Sequence, residues 1–319
     1  MATPVQRAVS LAVIAALLSL LLFVQVDGNS AWLRVALDGS HVPIFAGVAM
    51  LLATLLSRRN ASAPDGPRYL LAFALALGLG AVIEYVQSLT GRPASAFDMA
   101  SNAAGAAIGI GLLALHRGAR GRRALTGRAR WVLVCAAIVG LVFASWRPLE
   151  AARAYFDRAQ RFPVVAAFGR PRDLYFVTTQ GLTADVVPLP ARWAEAPGER
   201  ALRIRYAASR PPALQLAEPS PDWRGFHAIA LDVTNAADVE IQFVLRILDA
   251  GHDWSHEDRF NYRFTIPAAT RRTIRVPLEA VRSAPARRPM DLARIADVMI
   301  FSHDPLAGGD LYVSRLWLE

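Results

Sequence analysis

Six polar residues in the first third of the chain have the types and spacing to do chemistry: His41, Glu84, Gln87, Arg92, Asp98 and Asn102. A carboxyl group whose pKa is raised by partial burial can act as general acid or base, and an imidazole can share the proton transfer. An arginine fork can hold a phosphate or carboxylate. Glu84 and Gln87 are three residues apart and Asp98 and Asn102 four apart, so each pair projects from one face if its segment is helical.

These residues sit in or beside long apolar runs. A membrane-spanning helix needs roughly 20 mainly apolar residues, with about 17 tolerated. Five segments meet or approach that length: Ala8–Val26, His41–Ser57, Tyr69–Leu89, Met99–Leu115 and Trp131–Trp146. Trp131 and Trp146 bracket the shortest of them as interfacial anchors. The first run is longer than the core of a signal peptide and no clear small-x-small site follows Val26, so it reads as an uncleaved helix. Gly105 and Gly109 form a small-xxx-small pair that reads as a packing face.

Arginine in short loops gives the expected orientation. Arg58, Arg59 and Arg68 follow the second run, and Arg117, Arg120, Arg122, Arg123, Arg128 and Arg130 follow the fourth, whereas the other two loops hold only Arg34 and Arg92. The N-terminus is then cytoplasmic, and five crossings of a bacterial inner membrane put residues 147–319 in the periplasm. The polar group gathers near the outer leaflet, with His41 at the start of the second helix.

The run Glu84-x-x-Gln87, Arg92, Asp98, Asn102, Gly105, preceded by His41 with Phe45 four residues on, resembles the signature of the VanZ-like family over about residues 1–116. The family often carries Asp-Lys just before that His. Here Asp38-Gly39-Ser40 precedes it, so any role of the lysine is absent or falls to an arginine. The resemblance implies a membrane location and an association with low-level resistance to glycopeptide antibiotics of the teicoplanin type; it implies no settled reaction. Three readings of the polar group stay open: an active site acting on an envelope precursor, a site that only holds an anionic lipid or glycan headgroup, and structural glue between helices.

Beyond Trp146 the pattern changes. Residues 147–161 read as a helix-like connector with Leu149, Ala152, Tyr155 and Phe156 at helical spacing, after a cytoplasmic arginine-rich loop and fifth helix over 117–146. From about Phe162 the period is two. Leu202–Tyr206, Ala228–Val233, Val239–Leu248, Phe260–Ile266, Thr273–Val276, Val298–Phe301 and Leu311–Leu318 read as strands, with turns at Pro221-Asp222 and Gly308-Gly309-Asp310. The fold class is multidomain: an α-helical transmembrane bundle of five helices, then an all-β sandwich or jelly roll over 162–319.

Asp222-Trp223-Arg224-Gly225-Phe226, Leu231–Asn235, Arg259-Phe260, Val276-Pro277-Leu278 and Leu311-Tyr312-Val313 resemble a carbohydrate-binding-module-like, galactose-binding-like sandwich. A sugar site needs an exposed aromatic face and polar fingers. The richest segment is His252–Arg259, so Trp254, Tyr262, His252 and Asp253 are the ligand-binding candidates, while Trp223 and Trp317 read as core. His252 and His256 are four apart, a spacing that aligns metal ligands only on a helix. In a loop it gives no metal site.

Composition narrows the classes. Of 319 residues 54% are hydrophobic, too many for an ordinary soluble chain of this length. All 35 basic residues are Arg, 13 against 6 acidic residues in 1–150 and 22 against 20 in 151–319, so the net charge of +9 belongs mainly to membrane topology. No Arg stripe interleaves with aromatics in the second half, which argues against nucleic acid. The single Cys135 excludes an intrachain disulfide. No cofactor is expected. The expected partners are membrane lipids and an envelope polysaccharide or lipid-linked glycan, with a protein-binding scaffold as the alternative.

Overall fold

The computed structural model describes residues 3–23, 30–57, 66–89, 95–119, 127–206, 211–219, 222–303 and 309–319. The chain divides into two compact units between Glu150 and Ala151, with Ser30 and Ala31 falling in the second.

Unit one is built from α1 (Pro4–Phe23), α2 (Ala31–Leu55), α3 (Gly66–Leu89), α4 (Ala96–Ala119) and the first part of α5 (Gly127–Arg161). All five helices are long and apolar enough to cross a membrane. Their outward faces are apolar, as a lipid-facing surface requires, with Val9, Leu70, Val82, Trp131, Val139 and Trp146 among the exposed side chains. The inner seam mixes small residues, Ala49, Ala53, Ala72 and Ala76, with larger ones such as Phe45, Ile83 and Ile110.

Two helices run further than their apolar runs. α2 begins ten residues before His41, so His41 lies inside the helix and not at its start. Asp38-Gly39-Ser40 looks like a break, but Gly39 has open space around it and the Ser40 hydroxyl donates to the Leu37 carbonyl at 2.6 Å. α5 continues past Trp146 to Arg161 with Pro148 inside it. Arg147 helps to fix that stretch: it donates to Asp38 at 2.6 Å and its guanidinium lies 3.6 Å from the centre of the Phe97 ring.

The glycine pair on α4 explains how α2 and α4 approach. A Cβ at Gly105 would stand 2.3 Å from the Val42 carbonyl oxygen, and one at Gly109 the same distance from that of Ala46. Only glycine lets the two backbones come this close.

Unit two is a sandwich of two antiparallel sheets. Its strands are β1 (Val164–Ala167), β2 (Val177–Gln180), β3 (Leu182–Pro188), β4 (Arg200–Tyr206), β5 (Ala213–Ala217), β6 (Ala228–Asn235), β7 (Ile241–Asp249), β8 (Phe260–Ile266), β9 (Thr270–Pro277), β10 (Ile295–Phe301) and β11 (Gly309–Leu318), with a short α6 (Leu278–Arg282). The first sheet has the order β3-β4-β11-β6-β9, with β1 pairing the C-terminal half of β11; the second has the order β2-β5-β10-β7-β8. Alternation does the sorting. Ile241, Phe243, Leu245 and Ile247 of β7 face Leu202, Ile204, Leu231 and Val313 of the other sheet in one core, while Gln242 and Arg246 point outward.

All seven expected strands are present. Four further strands, β1, β2, β3 and β5, were not read from the sequence; β2 has only Val177 half-buried among four residues, so it lacks a hydrophobic alternation. Trp223 is fully buried as expected, whereas Trp317 is only half-buried, its indole donating to Glu319 at 3.0 Å. The turn expected at Pro221 and the start of that at Gly308 lie outside the described residues.

Candidate functional site

The helical unit buries His41, Glu84, Gln87, Asp98 and Asn102, all at 5% exposure or less. Arg92 lies outside the described residues, as do Arg58, Arg59, Arg120, Arg122 and Arg123 of the loops that give the expected orientation.

His41 and Asn102 meet directly: His41 Nδ1 donates to Asn102 Oδ1 at 2.9 Å. The Asn102 amide nitrogen rests on Gly80 of α3, where an added Cβ would stand 2.7 Å from it and 3.4 Å from the Phe45 ring. α2, α3 and α4 therefore share one layer, with glycine admitting the amide. Asn102 Nδ2 is buried and makes no hydrogen bond among the described residues.

Glu84 follows Gly80 by one helical turn, and its role comes from the start of α4. Helix N-termini leave backbone N–H groups open. Ser95 precedes α4 and its hydroxyl accepts the Asp98 N–H at 3.1 Å, while Glu84 Oε2 of α3 accepts the Ser95 N–H at 2.8 Å. A carboxylate here is also favoured by the helix dipole. Glu84 Oε1 is buried and has no hydrogen-bond partner among the described residues. Gln87 turns elsewhere: its Nε2 donates to the Leu21 carbonyl of α1 at 3.0 Å. The polar stripe thus runs along α3 and α4 over about two turns, roughly 10 Å. Ser95 was not singled out in the sequence, although Ser95-x-x-Asp98 ahead of an apolar run is a capping signal.

In the sandwich unit, the loop between β7 and β8 carries His252, Asp253 and Trp254. Trp254 is 80% exposed and has φ +67°, a region that a bulky residue rarely occupies and that costs about 1–3 kcal/mol. The His252 ring lies 5.5 Å from the indole. Tyr262, 40% exposed, lies on the strand that follows. It pairs in register with Leu245 on the core-facing side of the edge strand β8 and stacks on Phe260 at 6.5 Å; among the described residues no ring contact links it to Trp254.

The loop is tied down by a residue 30 positions further on. Arg288 donates to both oxygens of Asp249, one at 2.7 Å, and to Asp258 Oδ2 at 2.8 Å. Asp258 Oδ2 also accepts the Asp253 N–H at 2.9 Å, and His252 Nδ1 donates to the Asp258 carbonyl at 2.6 Å. The Arg288 hydrogen bond holds Asp258 below the usual carboxylate range against a smaller push from burial. At Asp249 burial pushes upward most, but Arg288 and the N–H groups of Asp291 and Gly251 together hold its pKa down. His252, Asp253 and Asp258 bring ligand-type atoms within 4.8 Å of one another. Those atoms are engaged in holding the turn: Asp258 Oδ2 serves Arg288, and Asp253 Oδ1 accepts the Ser255 N–H at 2.8 Å. No pattern in the sequence marks Arg288 as the loop's clamp, because its partners lie 39 and 30 residues away.

No protein-family model matches the chain, and no curated protein matches it. Solved structures are similar over the sandwich. A family 11 carbohydrate-binding module from Clostridium thermocellum, in complex with a β-1,3-1,4-mixed-linked tetrasaccharide, is 15% identical with a TM-score of 0.34, covering 44% of this chain and 86% of that one. A family 30 carbohydrate-binding module of a Clostridium thermocellum cellulosomal cellulase is 10% identical with a TM-score of 0.32, covering 45% and 86%. An exo-β-agarase is 13% identical with a TM-score of 0.39, covering 49% and 24%.

Proposed function

We propose that the chain is a membrane-anchored glycan-binding protein of the bacterial envelope, its sandwich periplasmic and stacking a saccharide on Trp254. The observation that carries this reading is the indole itself: a large apolar ring, 80% exposed, held at φ +67° in a loop clamped by Arg288. Burying an indole face on sugar C–H groups removes apolar area from water, and the neighbouring exposed Asp253 supplies a polar group for hydroxyls, while the buried His252 side chain positions the loop.

The helical unit joins this reading through its resemblance to the VanZ-like family, carried by His41, Glu84, Gln87, Asp98, Asn102 and Gly105 together with Arg92. Among the described residues Glu84 Oε1 and Asn102 Nδ2 have no hydrogen-bond partner, which supports a site that meets the headgroup of a lipid-linked envelope precursor. Gln87, spent on the Leu21 carbonyl, belongs to the structural part of the stripe. Carrying both sites on one chain makes the second encounter intramolecular and raises the local glycan concentration.

The test is binding of the full-length protein, in detergent, to an array of neutral and charged glycans. Trp254→Ala should weaken the best ligand at least tenfold with an unchanged circular dichroism spectrum. Failure to bind any glycan would leave the alternative, a scaffold whose sandwich binds a protein.

A further inference from the structure

The β7–β8 hairpin that carries Trp254 also carries three arginines that have no acidic partner among the described residues. Most other arginines of the sandwich core region are paired: Arg203 with Asp185 at 2.6 Å, Arg271 with Asp232 at 2.6 Å, Arg288 with Asp258 at 2.8 Å. Among the described residues, none of Arg246, Arg259 and Arg263 makes an ion pair with a carboxylate.

Register puts them together. Arg246 of β7 lies opposite Asn261 of β8 and Arg263 lies opposite Val244, and both arginines are on the face turned away from the core. Arg259 immediately precedes β8 and is close enough to Arg246 that its charge, after burial as the larger cause, lowers the Arg246 pKa. Arg259 Nε is buried with no hydrogen-bond partner. Arg246 is held in place: its Nε donates to Asn261 Oδ1 at 2.9 Å and its guanidinium lies 4.4 Å from the centre of the Phe301 ring. The nearest carboxylate on that face in register terms is Asp297 of β10, opposite Leu248, and it accepts from Gln215. From Arg259 to Arg263 the strand advances about 13 Å, a reach that suits an oligomer better than a single sugar.

Three guanidiniums clustered on one sheet face repel one another, and an anion that bridges them is stabilised by charge-assisted hydrogen bonds. Resting on the glycan-binding reading above, we propose that this face selects an acidic polysaccharide, a polyuronate, whose carboxylates dock on Arg246, Arg259 and Arg263 around Asn261. Trp254 then supplies stacking and the arginines supply the choice of a charged over a neutral chain. The fork of Arg246, already oriented by Asn261 and Phe301, matches a carboxylate without further ordering.

The test compares polygalacturonate with its carboxyl-reduced, neutral derivative as ligands of the full-length protein in detergent. Wild type should prefer the polyuronate, and Arg263→Gln and Arg246→Gln should each weaken it about tenfold and flatten its salt dependence. Arg263 is exposed, so its variant keeps the fold, and Arg282→Gln on α6 serves as a charge-matched control that leaves binding unchanged. Equal binding of the two polymers, lost in Trp254→Ala but not in the arginine variants, would overturn the polyuronate proposal and keep the glycan reading. No binding of either polymer or of any arrayed glycan would overturn both. If the charges only protect the β8 edge from pairing, Arg263→Gln will self-associate without affecting polyuronate affinity, and the proposal fails.

Discussion

His41 Nδ1 donates to Asn102 Oδ1 across 2.9 Å, and the other end of the same amide is seated on Gly80. Three helices are thus joined by one side chain whose position depends on the absence of a methyl group.

The consequence can be measured. In Gly80→Ala the new Cβ meets Asn102 Nδ2 at 2.7 Å and Phe45 Cε1 at 3.4 Å, so the amide must move and the His41 bond is lost or lengthened. A buried polar pair broken in this way costs about 1–3 kcal/mol. Gly78→Ala, with open space at the Cβ, is the control and should cost nothing. Thermal unfolding in detergent should show a lower Tm for Gly80→Ala alone; equal melting of the two variants would mean that the amide is not seated as described.

Glu84→Gln separates chemistry from glue. The amide oxygen can still accept the Ser95 N–H, so the cap of α4 survives and stability should stay within about 1 kcal/mol of wild type. A proton-transfer or charge role cannot survive the change. If Glu84 acts chemically, envelope integrity measured at matched protein levels should then resemble that of a deletion strain. Wild-type behaviour would remove Glu84 from any chemical role and leave it as the α4 cap.

Legibility followed the range of the interactions. The five helices and the sandwich were readable because hydrophobic runs and alternation are local signals, and Phe260–Ile266 was bounded to the residue. The extents of α2 and α5 were not, since what carries them through Gly39 and Pro148 includes contacts such as Arg147 with Asp38, over a separation of 109 residues. The burial of the helical polar stripe is visible now, and its residues were singled out by type and spacing. Which of them touch was not legible: Gln87 binds α1, 66 residues away, while Asn102 chooses His41. In the sandwich, Trp254 could be picked out by its polar surroundings. The Arg288 clamp and the facing of Tyr262 into the core side could not, because both follow from strand register and not from neighbouring sequence.

The Arg288 clamp makes the Trp254 loop sensitive to acid in a defined window. Asp249 and Asp258 both have folded pKa values below the ordinary carboxylate value of 3.8, with Arg288 the first cause at Asp258 and a counterweight to burial at Asp249. For a depressed carboxylate the stabilising contribution is complete above the unfolded pKa and is lost as pH falls through the folded one. Loop order, followed by hydrogen exchange at residues 250–259, should therefore be constant from neutral pH down to about 5 and decline only below about 4. Arg288→Gln removes the strongest of the groups that hold the Asp249 pKa down, leaving only the Asp291 and Gly251 N–H groups against burial. The Asp249 pKa therefore rises relative to wild type, and the loop loosens at a higher pH. Removing one partner of so buried a pair should cost roughly 3 kcal/mol, at the low end for buried ion pairs because Arg288 is itself partly exposed. If Trp254 stacks a saccharide, glycan affinity should fall with loop order, and an unchanged exchange profile in Arg288→Gln would show that the loop holds its shape without the clamp.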